Sequence, residues 1–86
     1  MLKYKGFITA SNLPEGTFAS MRGANMNGFY GFSQTNLTPS DAPEGIRDGA
    51  IFHLDFYNEI SLQVCFNRQG GMKSRFYWYG VWISWQ

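Results

Sequence analysis

Lys73, Arg75, Tyr77 and Tyr79 fall on every second position, so an extended chain carries them on one face. Tyrosine beside cations suits a sugar ligand. The apolar face of a pyranose lies on an aromatic ring, and its hydroxyls exchange hydrogen bonds with Arg, Lys or Asn side chains. The same pattern suits a solvated face held by cation–π pairs. Tyr30 follows a turn containing Asn27 and offers a second contact of this kind; the competing reading packs Phe29 and a neighbour beneath the loop. The contact set that this chemistry selects is Tyr30, Tyr77 and Tyr79, with Arg75 and Asn27.

Catalytic chemistry is poorly supplied. His53 is the single histidine, and a general base needs a nucleophile that no spacing here provides. Asp55 lies on the face of His53 as a strand neighbour. Three copies of His53 about an axis could hold a metal, the one metal site the sequence suggests. Asp41, Glu44, Asp48, Asp55 and Glu59 could supply a carboxylate pair for glycoside hydrolysis, but nothing fixes their separation. Cys65 reads as a buried, inert thiol. The expectation is therefore a binding protein that is not an enzyme and needs no cofactor.

The elements that must position these residues read as strands. Ala50, Phe52, Leu54 and Phe56 alternate with Ile51, His53, Asp55 and Tyr57. Ile60, Leu62, Val64 and Phe66 alternate with Ser61, Gln63, Cys65 and Asn67. The short link Tyr57-Asn58-Glu59 predicts a hairpin. Gly70-Gly71 predicts a tight turn into a strand from Met72 to Tyr79, whose Met72, Phe76 and Trp78 are expected in the core. Gly80 then turns the chain into a last strand from Val81 to Trp85. Trp82 and Trp85 are three apart, so that strand sets them on opposite sides, one in the core and one at a subunit contact. Earlier strands are expected over Leu2 to Thr9, Gly16 to Arg22 and Phe29 to Ser33. Between Gln34 and Asp48 lies a loop of roughly a dozen residues, a candidate binding loop. The fold class is all-β: a small antiparallel sheet, meander or sandwich-like.

The chain has 86 residues, one domain's worth. A domain this small usually needs a disulfide, a metal or a partner subunit, and a single cysteine allows no internal disulfide. Aromatics make up 19% and charged residues 15%, against a usual charged share of about 25%. Some of that aromatic surface is expected to face a neighbour or a ligand. A net charge of +1 gives no footprint for nucleic acid or an anionic membrane, and no apolar run approaches the roughly 20 residues of a membrane helix.

From Asn12 onward the order of features resembles the pyocin-knob family of phage tail-fibre and R-type pyocin fibre proteins. The opening Asn12-Leu13-Pro14-Glu15-Gly16 matches its leader, and Phe29-Tyr30-Gly31-Phe32 its aromatic strand. Asp41-Ala42-Pro43-Glu44-Gly45 matches a turn, and Gly49-Ala50-Ile51-Phe52-His53 and Leu62-Gln63-Val64 match two further strands. The ending, Arg75 followed by Gly80, Trp82 and Trp85, is the most specific piece; Ile83 departs from the Ser or Thr usual there. The resemblance implies a knob spanning residues 1–86, with 1–11 as its connection to a preceding fibre segment. It implies a homotrimer on a virion or tailocin tail fibre, made in the host cytoplasm. It implies binding to a bacterial surface polysaccharide or outer-membrane protein, without nucleic acid or membrane insertion. Alternatives are a structural trimerisation cap for a fibre shaft, the variable tip of a pilus adhesin, and an enzyme that trims surface glycan.

Overall fold

A computed structural model describes residues 3–9, 12–35 and 39–86. The described residues form one six-stranded sheet in sequence order: β1 (Tyr4–Phe7), β2 (Gly28–Ser33), β3 (Asp48–Tyr57), β4 (Ile60–Asn67), β5 (Met72–Trp78) and β6 (Val81–Trp82). From β2 onward every pair is antiparallel, so the expected all-β meander is present. β1 runs parallel to β2, which requires the intervening segment to cross over the sheet. That crossover, together with the loop before β3, replaces the second layer of a sandwich.

The expected strand over Gly16 to Arg22 is a 3₁₀ turn, Phe18–Met21. Thr17 caps it by accepting from the Ser20 backbone N–H at 3.2 Å. Asp41 accepts from the next two free amides, Phe18 N at 2.8 Å and Ala19 N at 2.9 Å. Local side-chain acceptors offer the backbone an alternative to a sheet ladder, and strand patterning does not reveal them. The loop before β3 is likewise more structural than expected. Asp41 is tied to the turn and Ile46 is buried; residues 36–38 of that stretch lie outside the described residues.

The crossover delivers Ile8, Leu13, Phe18, Met21 and Met26 onto one face of the sheet, where they pack on Tyr30, Phe32, Ile51 and Cys65. This covered face also holds His53, Ser61, Gln63 and Arg75, all buried. Strand alternation was read correctly, but the more polar face is the one inside. The apolar face is open. Phe52, Leu54, Leu62, Val64 and Phe66 are only half-buried. Met72, Phe76 and Trp78, expected in the core, are 59%, 40% and 51% exposed.

Polar residues can occupy the covered face because each finds partners, which removes most of the cost of burial. Asp41 accepts from Arg75 Nη2 at 2.8 Å, and Arg75 Nε donates to Gln63 Oε1 at 2.9 Å. Gln63 Nε2 donates to the Phe18 carbonyl at 2.6 Å and to His53 Nδ1 at 3.1 Å. Trp82 and Trp85 clamp the same guanidinium, with ring centroids 4.2 and 4.4 Å from its carbon. They do not lie on opposite sides of a regular strand: β6 ends at Trp82, and the chain beyond runs on irregularly beside β5, with Ile83 N donating to the Phe76 carbonyl and Gln86 N to the Ser74 carbonyl at 2.8 Å each. Trp85 Nε1 donates to the Asp41 carbonyl at 2.8 Å and completes the closure.

Candidate functional site

The buried chain of hydrogen bonds ends at a surface cleft beside the β3–β4 hairpin. The order of donors fixes its chemistry. Arg75 is donor-only and faces Gln63 Oε1, so the Gln63 amide NH₂ faces His53 Nδ1. His53 Nδ1 then accepts, and Nε2–H donates to Asp55 Oδ1 at 3.0 Å. Burial holds the His53 pKa below its ordinary value, although the Asp55 carboxylate opposes this. Burial pushes Asp55 upward, but hydrogen bonds from Ser61 and the Gly23 amide, with His53, outweigh it, and its pKa is lowered. Near neutral pH the pair is a neutral imidazole donating to an ionised carboxylate.

Ser, His and Asp therefore meet, but in the wrong order for nucleophilic catalysis. Ser61 Oγ donates to Asp55 Oδ1 at 2.6 Å, and the second His53 nitrogen faces Gln63. In this geometry the imidazole does not contact the serine hydroxyl, so it cannot take its proton. His53 and Ser61 are also buried. The cluster braces the hairpin. Its position on the covered face also removes His53 from the expected axial metal site.

The cleft has a volume of about 610 Å³. Arg22 and Gly23, leaving the 3₁₀ turn, form one wall; Asp55 to Asn58, with Ser61, form the other. Asp55 joins the walls by accepting from Gly23 N at 2.9 Å. Asn27 pins the same point: its Oδ1 accepts from Asp55 N at 2.8 Å. The Arg22 guanidinium lies 3.9 Å from the Tyr77 ring centroid, and Nη2 donates to the Asn58 carbonyl at 2.7 Å. Glu59 stands 3.6 Å away. Arg22 Nε is buried and has no hydrogen-bond partner among the described residues. Tyr57 and Phe56 stand exposed at the rim.

The five residues selected by sequence divide here. Asn27, Tyr77 and Tyr79 gather at the hairpin end of the sheet, Tyr79 through its N–H to the Glu59 carbonyl at 2.8 Å. Tyr79 is not part of β5 and does not share a strand face with Tyr77. With Gly80 it forms the β5–β6 turn, at φ 45° and 101°. Tyr30 and Arg75 are corrections: they are 5% and 8% exposed. Tyr30 supports the crossover, its hydroxyl 3.4 Å from the Met26 carbonyl, and Arg75 is consumed by Gln63, Asp41 and the two tryptophans. Neither can meet a ligand. Sequence reasoning missed Arg22, Tyr57 and Asn58 as one site, because only the crossover brings residue 22 beside residue 58. The aromatic-amide content of the hairpin tip was the available signal. Cys65 is buried, as expected of an inert thiol, and burial pushes its pKa up.

No protein-family model matches the chain, and no curated protein or solved structure gives a match to it.

Proposed function

We propose that the chain is a receptor-binding knob of a phage or tailocin tail fibre, trimeric, with the hairpin cleft taking a sugar unit of a bacterial surface polysaccharide. The observation that carries this reading is the cleft itself. It combines an exposed aromatic rim, Phe56 and Tyr57, with the polar groups of Arg22 and Asn58. A pyranose stacks its apolar face on such a rim and satisfies its hydroxyls on such groups. The Asn27, Asp55 and Ser61 bonds hold the walls before ligand arrives, which lowers the ordering cost of binding. Single-site affinity of this kind is weak, and three copies on one fibre would raise it by avidity.

The test is binding of the purified chain to a panel of bacterial lipopolysaccharides and capsular polysaccharides, with saturation-transfer NMR on the positive members. Tyr57→Ala and Asn58→Ala should each weaken a bound saccharide by at least about tenfold, the loss of one stacking or hydrogen-bonding contact of roughly 1.4 kcal/mol. Unchanged affinity in both variants would remove the cleft from recognition. A second reading, a cap that registers three chains of a fibre shaft, is favoured by the open apolar sheet face. It predicts that adsorption survives loss of the cleft side chains while assembly depends on the open face.

A further inference from the structure

We infer that the pocket between the start of β3 and the end of β4 is an oxyanion site, taking a phosphoryl or carboxylate group between Arg47 and Arg68. The chain has four arginines. Two are committed: Arg22 to Glu59 and the Asn58 carbonyl, Arg75 to Asp41 and Gln63. The other two are not. Among the described residues neither the Arg47 nor the Arg68 guanidinium forms an ion pair or a hydrogen bond, and both residues are exposed. Both nevertheless line one pocket of about 160 Å³, together with Gln34, Asp48, Asn67 and Gln69. That is several times the roughly 30 Å³ share of one water, which is room for a small anionic group.

The sheet holds the two cations together. Arg47 directly precedes β3 and Arg68 directly follows β4. Antiparallel pairing sets Gly49 opposite Asn67, and the Arg68 N–H donates to the Asp48 carbonyl at 3.2 Å. Two guanidiniums gathered at one point repel each other, and Asp48 supplies one counter-charge. Its Oδ1 accepts from the Gln34 N–H at 3.1 Å and from Ser33 Oγ at 2.9 Å. These bonds, with the two arginines nearby, keep its pKa below the ordinary value, so it is ionised near neutral pH. The charged residues of the pocket therefore leave one positive charge unmatched. The amides lean the same way. Asn67 Oδ1 is taken by the Gln69 N–H at 3.0 Å and the Gly71 N–H at 2.6 Å, so what Asn67 has left to offer is its NH₂ donor. Gln34 and Gln69 add two adaptable amides. A guanidinium presents a weakly hydrated, planar fork of donors that matches carboxylate and phosphate oxygens. A donor-rich pocket lacking one negative charge is completed by such a group. Asp48 opens β3 and Asp55 lies near its far end, roughly 23 Å away at about 3.3 Å per residue. The site is thus separate from the hairpin cleft.

Titration of the wild-type chain with inorganic phosphate, followed in ¹H–¹⁵N spectra at an ionic strength held constant with chloride, tests this directly. The Nε–H signals of Arg47 and Arg68 and the Asn67 side-chain NH₂ should move together and saturate, while those of Arg22 and Arg75 stay in place. Arg47→Gln and Arg68→Gln should each weaken phosphate binding by at least about tenfold, the loss of a charge-assisted contact. Neither residue has a side-chain partner to lose, so both variants should keep the dispersed spectrum of the folded chain. Parallel titrations with glucuronate and with uncharged glucose identify the source of the group. A response to glucuronate as well as phosphate assigns carboxylates generally, and a response to phosphate alone assigns phosphoryl groups. Shifts that rise without saturating, or that spread equally to Arg22 and the lysines, would mean screening only and would overturn the proposal. Unchanged affinity in both variants would do the same. These outcomes separate from failure of the receptor reading. A chain that binds phosphate but no polysaccharide keeps this site and loses the cleft, whereas one that binds a neutral polysaccharide through Tyr57 without a saturable phosphate response does the reverse.

Discussion

Arg75 shows how far a residue's role can depart from its apparent chemistry. A cation two positions from a tyrosine suggests a ligand contact, yet the guanidinium is the hub of the buried network. Removing it strands Gln63 Oε1, leaves the Asp41 carboxylate with the Phe18 and Ala19 amides but no counter-charge, and empties the space between two indoles. Breaking a buried charge pair on one side costs about 3–5 kcal/mol, so Arg75→Ala should lose stability of that order in urea titrations. Arg75→Lys should recover only part of it, because an ammonium cannot present the planar fork that reaches both partners while lying between two rings. His53 gives a pH signature. Its folded pKa lies below the ordinary 6.5, so below pH 6.5 the unfolded chain takes up a proton that the folded chain refuses. Stability is complete above that pH and falls as pH drops toward the folded value. Asp55, lowered from 3.8, adds a second loss at more acidic pH, as its carboxylate is protonated. Thermal unfolding between pH 4 and 8 should show the first decline starting near pH 6.5, and His53→Gln should flatten that part of the curve.

Alternation made the strands and the hairpins legible, because a period of two needs only local sequence. It could not say which face was inside. In β4 the apolar Ile60, Leu62, Val64 and Phe66 look like a core, and Ser61, Gln63 and Cys65 look like a surface. The crossover chose the second set, since Gln63 can satisfy Phe18, His53 and Arg75 together. A one-sided pattern therefore identifies two faces and leaves the assignment to long-range partners that the strand itself does not contain. Turns follow the same logic at shorter range. Gly49, at φ 152°, could be read as a strand glycine, but a Cβ there would sit 1.8 Å from the Phe66 carbonyl oxygen. Gly49→Ala must displace β4 backbone and should cost well over the ~1–2 kcal/mol of a simple left-handed penalty. Gly16→Ala, at φ 74° with open space around the added carbon, should cost only that penalty; parallel denaturation curves would show the ranking. Tyr79 is the opposite case, a bulky residue at φ 45° in a turn that prefers Asn-Gly. Tyr79→Asn should stabilise the fold by about 0.5–1 kcal/mol. If the same change weakens polysaccharide binding, the strain at Tyr79 is retained for contact with the receptor.

At the scale of the whole molecule, composition announced an excess of apolar surface but could not locate it, because location depends on which side the crossover covers. The placement has a thermodynamic consequence. The covered core is drawn from short segments, and the most apolar strand positions, Phe52, Leu54, Leu62, Val64 and Phe66, lie on the other face and are not part of it. The chain alone should therefore be marginal, with the remaining burial supplied on association. Stability coupled to association depends on protein concentration through mass action. The unfolding temperature of the wild type should rise over a hundredfold concentration range. Met72→Lys should lower it and reduce the dependence, because a charge is placed on the open apolar face. Tyr57→Ala, on the cleft side, should leave the concentration dependence intact. A calorimetric series on these three proteins thus distinguishes a face that stabilises by being covered from one that is merely exposed. An unfolding temperature that does not move with concentration would mean that the covered core suffices for the fold.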